Sequence, residues 1–184
     1  MSDPSLHAIL LVVLLSAIAA VWDLRTGEIP NRLVALGALG CVVAVLAASL
    51  PAGGASVGRA LLSMLAGAAL VALVPLVLFR AGGMGGGDVK LLAVVGAALG
   101  PFAGVEAEMY AFVAALLYAP VRLLWEGKLV HAMRTTGALA VRPLLPKHRR
   151  PAPVALEELT ALRFAPAIFI GVLVAVAHHL GGGR

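Results

Sequence analysis

The sequence predicts an all-α, polytopic membrane protein of six transmembrane helices with its N- and C-termini outside. Three observations carry that expectation. Of 184 residues, 61% are hydrophobic and only 12% are charged, and the mean hydropathy is +1.03; a soluble domain carries roughly 25% charged residues. The apolar residues gather into runs near the length that crosses a bilayer, about 20 residues. The Lys and Arg residues lie between those runs and favour one side. The formal net charge of +5 is therefore explained by orientation in a bilayer, and no nucleic-acid partner is expected.

The runs follow in order. Residues 6–22 form the first. No Lys or Arg precedes it in residues 1–5, so it reads as a retained span and not as a cleaved signal peptide, which needs a basic start. Residues 33–50 and 61–79 form the second and third. Residues 89–99, continued by Gly100-Pro101-Phe102, are a shorter fourth. Residues 107–124 and 164–180 complete the set. Several runs carry Gly or Ala at close spacing, which lets membrane helices approach one another. A homo-oligomer is one state open to such a chain.

Six crossings leave only Arg59 and Arg184, of fourteen Lys and Arg, on one side. Basic loops stay in the cytoplasm, so a multi-pass protein of the cell inner membrane is expected. Residues 1–184 read as a single domain, with 125–162 as a basic cytoplasmic connector broken by Pro143, Pro146, Pro151 and Pro153 and opened by an interfacial Trp125. Cys41 is the sole cysteine; it can form neither an internal disulfide nor a CxxC zinc site, and reads as a small packed apolar residue.

Two acids stand out because an ionisable group beside a bilayer core is costly. Asp23 follows the first run in Asp23-Leu-Arg25-Thr-Gly-Glu28-Ile-Pro30-Asn31. Asp88 follows the third, after the glycines of residues 82–87. Two crossings separate them, so both lie on the cytoplasmic side at similar depth. Two carboxylates brought together can share a proton and activate a water. Taken singly, each has a plainer explanation: Asp23 as a helix-end acid beside Arg25, and Asp88 as the cap of the next helix. The glycine run permits close backbone approach by a helix or an extended substrate, and also a mobile loop that holds the carboxylates apart when no substrate is bound. It fits neither a P-loop, which needs Lys then Ser or Thr after its last glycine, nor a dinucleotide fingerprint, which needs a preceding strand. His178-His179 reads as a polar patch at a span end. No serine or cysteine has a histidine placed to suggest a triad.

Together the two segments resemble the type IV prepilin peptidase family, membrane aspartic proteases of the GxGD type, and within it the short tight-adherence (Flp) form. Asp23, Arg25 and Ile29-Pro30-Asn31 carry the likeness in the first segment, and Gly85, Gly87, Asp88, Lys90 and Leu91-Leu92-Ala93 in the second. Arg163-Phe-Ala-Pro166-Ala-Ile168 is similar to the start of the family's last span. The resemblance implies that Asp23 and Asp88 form the catalytic pair, and that Gly85, Gly86, Gly87, Lys90, Pro30 and Asn31 contact substrate. It also implies a prepilin or pseudopilin substrate with a short basic leader, cut at the cytoplasmic face, with no metal and no cofactor. Longer members carry paired CxxC motifs associated with N-methylation; with Cys41 alone, this chain is expected to lack methyltransferase activity. Two alternatives remain at this stage. One is a metal-dependent membrane enzyme acting on lipid phosphates, with Mg²⁺ on the two aspartates; the other is a small membrane carrier.

Overall fold

The computed structural model describes residues 6–125, 127 and 163–181. Apart from Trp125 and Gly127, the expected connector lies outside the described residues. The described chain is helical and contains no strand. It forms α1 (Leu6–Thr26), α2 (Asn31–Ser49), a 3₁₀ turn (Leu50–Ala52), α3 (Gly54–Arg80), α4 (Gly86–Trp125) and α5 (Ala165–Gly181). Among the described residues, four helices are long and apolar enough to cross a membrane: Leu6–Thr26, Asn31–Ala52, Gly54–Arg80 and Gly86–Val121. Ala165–Leu180 is apolar but shorter.

The expected fourth and fifth runs are two arms of α4, joined at Gly100, whose φ of 80° and ψ of 178° are not helical. A Cβ on Gly104 would lie 2.8 Å from the Cα of Gly96. In a straight helix residues eight apart are separated by ~12 Å. The second arm therefore folds back along the first. Gly100 supplies the backbone conformation that side chains resist, and Pro101 then suits the first turn of the returning arm. α3 also differs from expectation: it begins at Gly54 rather than at residue 61, because Gly53 caps it through its carbonyl to the N–H groups of Ser56 and Val57.

Small residues set the packing. Gly67 of α3 meets the backbone of Gly96, and Gly171 of α5 meets Ala107 and Ala111 of the returning arm. Such contacts bring helix backbones together where no water drives association. The first arm of α4 is the centre of the bundle, with Leu91, Leu92 and Val95 fully buried. Cys41 is a buried free thiol in the same core. Large apolar side chains such as Leu36, Leu62, Leu65 and Leu116 face outward, as they do where the solvent is lipid.

This winding gathers the C-termini of α1 and α3 with the N-termini of α2, α4 and α5. At the opposite end, Glu106 bridges α4 to α5: its two carboxylate oxygens contact His178 Nδ1 at 2.6 Å and His179 Nε2 at 2.8 Å, and Tyr110 donates to it at 3.2 Å. The His178-His179 patch is thus a clasp between helices.

Candidate active site

Asp23 lies on the last full turn of α1 and is only 5% exposed. The helix ends just beyond it, where Gly27 N–H bonds back to the Asp23 carbonyl at 2.8 Å, an αL-type stop. The side chain points into the bundle and its Oδ2 accepts the N–H of Ala165 at 3.3 Å. Ala165 is the first residue of α5, so its N–H has no partner within its own helix. Asp23 thereby caps a helix distant in sequence, and the positive end of that helix faces the carboxylate. Pro166, next in line, has no N–H to satisfy, a usual arrangement in a helix's first turn.

Asp88 is held differently. α3 closes with Gly83 N–H on Leu78 carbonyl at 2.8 Å and Gly82 N–H on Phe79 carbonyl at 3.0 Å, a Schellman stop. The chain then crosses through buried Met84 and starts α4 at Gly86. Asp88, in the third helical position, is half-buried and accepts a hydrogen bond from the backbone of Gly85. This is the returning half of a capping box. Asp23 lies near enough for its charge to act on Asp88. The two carboxyls therefore lie within each other's electrostatic reach at one end of the bundle, from separate helices.

The neighbouring glycines shape the surroundings of Asp88. A Cβ on Gly85 would stand 3.0 Å from Asp88 Oδ2, one on Gly87 would stand 3.0 Å from Ile29 Cβ, and one on Gly86 would stand 3.3 Å from Phe79. Gly85 thus leaves room for the carboxylate to fold back. Gly87 lets the α1–α2 loop rest on the first turn of α4. Lys90 Nζ donates to Asn31 Oδ1 at 2.8 Å and ties that loop to α4 a second time. Pro30 precedes Asn31 in extended conformation and caps α2. Of the eight expected site residues, all lie at this end. The close approaches observed at the three glycines come from the protein's own side chains. Only residues 82–85 of the glycine run form the connecting turn; Gly86 and Gly87 are helical.

The sequence profile of the type IV leader peptidase family matches residues 9–120. The chain belongs to that family. The matched region contains both aspartates, the Ile29-Pro30-Asn31 turn and Lys90. Neither the curated proteins nor the solved structures contain a match. A protein of this family with several membrane-length helices is a multi-pass membrane protein of the leader-peptidase type.

Two features were not among the expected functional residues. One is Ala165, whose backbone holds Asp23; a main-chain donor leaves no mark on residue type. The other is Glu108, on the returning arm of α4. It is 6% exposed, and its Oε1 has no hydrogen-bond partner among the described residues. Its signal was present in the sequence: an acid inside an apolar run is costly enough to need a reason.

Proposed function

We propose that this chain is a membrane-embedded aspartic endopeptidase. It removes the short basic leader from prepilin or pseudopilin substrates at the cytoplasmic face of the inner membrane, as part of pilus biogenesis. One observation carries the reading: in a leader-peptidase family member, two carboxyls from separate helices lie within each other's field at one end of the bundle. Asp23 and Asp88 act as a unit. One, ionised, takes a proton from water, while the other, protonated, polarises the scissile carbonyl. Ala165 N–H and the Gly85 backbone aim the two side chains. Gly85, Gly86, Gly87, Lys90, Pro30 and Asn31 surround the place where an extended substrate would lie.

The proposed arrangement has six crossings, counting both arms of α4 and α5, with termini outside and the aspartate end inside. It includes no methyltransferase step and no metal.

The test is N-terminal sequencing of a co-expressed prepilin. Asp23→Asn and Asp88→Asn, each present at normal level in the membrane, should leave the leader uncut, and EDTA should leave wild-type cleavage unchanged. Complete processing by either variant would end the proposal. Loss of activity in EDTA would move the reading to metal chemistry.

A further inference from the structure

Asp23 accepts the N–H of Ala165 at 3.3 Å. The usual range for such a bond ends at about 3.2 Å, so a small further displacement at the start of α5 weakens the hold on Asp23. The direction of that N–H is set by the peptide plane it shares with Phe164. The Phe164 carbonyl accepts the N–H groups of Ala167 at 3.0 Å and Ile168 at 3.1 Å. Phe164 thus stands where a helix is usually capped by Ser, Thr, Asp or Asn. A phenyl ring has no oxygen to offer the first turn. It packs across to α4 instead: its ring meets that of Phe112 with centroids 5.4 Å apart and planes tilted by 52°, the geometry of a favourable aromatic pair.

Phe112 is at the right depth to do this. Asp88 and Phe112 stand twelve positions to either side of Gly100, and the two arms of α4 run antiparallel, so Phe112 returns to about the level of Asp88. Further along α5, Gly171 lies against Ala107 and Ala111 of the same arm. We infer that Phe112 is a positioning residue for the aspartate pair: through the ring of Phe164 it fixes the first turn of α5 and so aims the Ala165 N–H at Asp23. The Gly171 contact sets how near α5 lies to the returning arm, and the ring pair sets how its first turn is rotated. This rests on the peptidase reading and adds to it an apolar side chain that acts through one peptide unit.

The experiment measures kcat and KM for prepilin cleavage by the full chain, well below the thermal midpoint of each variant. Phe112→Leu keeps apolar bulk and removes the ring. Its kcat should fall about 5-fold through loss of the aromatic pair, with KM unchanged, as for a group that acts on the reacting atoms and not on substrate binding. Phe112→Tyr keeps the ring and should restore kcat. In an Ala165→Pro background the N–H is already gone, so adding Phe112→Leu should change kcat by a factor of about 1. A side chain that served stability alone would multiply the two losses. Phe164→Leu removes the other ring and carries the same expectations if Phe112→Leu fails to accumulate. Wild-type kcat in either Leu variant would overturn the inference. So would wild-type cleavage by Ala165→Pro, a further 5-fold loss in that background, or a raised KM at unchanged kcat, which would put Phe112 in substrate binding. Cleavage by Asp88→Asn would instead remove the peptidase reading beneath it.

Discussion

At the scale of single residues, the site depends on what is missing as much as on what is present. Gly85 stands at the N-cap of α4, and Gly87 lies in its first turn, where alanine is intrinsically the better helix former by roughly 1 kcal/mol. If it merely began a helix, Gly87→Ala would raise stability. A Cβ at either position instead comes within 3.0 Å of Asp88 Oδ2 or of Ile29. We expect Gly85→Ala and Gly87→Ala to lower kcat by about 10-fold, the effect of a roughly 1.4 kcal/mol loss in the transition state, with no gain in thermal midpoint. Parallel cleavage assays and thermal melts check this. The Ala165 N–H is equally specific. Ala165→Pro deletes that donor at a helix position where proline is tolerated. Because hydrogen bonds to charged groups are worth about 1.5–3 kcal/mol, cleavage should fall about 10-fold or more while the protein still accumulates in the membrane. Wild-type cleavage by Ala165→Pro would show that Asp23 does not depend on α5.

At the scale of elements, α4 decides the architecture. Its 40 residues are enough for one very long helix, and the positive φ at Gly100 turns them into two antiparallel arms. Gly100→Ala would force a side chain into a region used essentially by glycine alone, at about 1–3 kcal/mol. We expect a lower thermal midpoint and a fall in activity that follows it, because the first arm carries Asp88 and the second packs on α5, which holds Asp23. A midpoint equal to wild type would mean the two arms do not need this turn. The close packing of Gly67 on Gly96 and of Gly171 on Ala107 points the same way: positions with little side chain allow the helices carrying the site to approach.

At the scale of the whole molecule, the two ends of the bundle differ in chemistry. One end gathers the two carboxyls, the Lys90–Asn31 bond and the N-termini of three helices. The other holds the Glu106–His178–His179 clasp. The proposed orientation puts the first end inside, on the strength of the bias in Lys and Arg. In a Cys41→Ala background, a cysteine at Gly53 should react with a membrane-impermeant maleimide added to intact cells, and one at Gly27 should react only after the cells are opened. The reverse pattern would place the aspartates outside and exclude a cytoplasmic cut. The exposed belt of Leu36, Leu62, Leu65 and Leu116 is then the lipid surface.

Much of this was legible in the chain itself. Hydrophobic runs of bilayer length marked the helices, because lipid leaves a spanning backbone few alternatives to helix. Asp23 and Asp88 stood out because acids beside a bilayer need a reason, and counting crossings put both on one side. Those are local and additive properties, and the sequence by itself determined them. Tertiary structure alone decided how the acids are held: Ala165 reaches Asp23 across 142 positions of chain, through a backbone group that every non-proline residue possesses. It also decided that the glycines face Asp88, Ile29 and Phe79, and that Glu108 is buried on the returning arm of α4. Contacts of this kind depend on which helix faces fold together, and hydropathy along a single chain does not encode that.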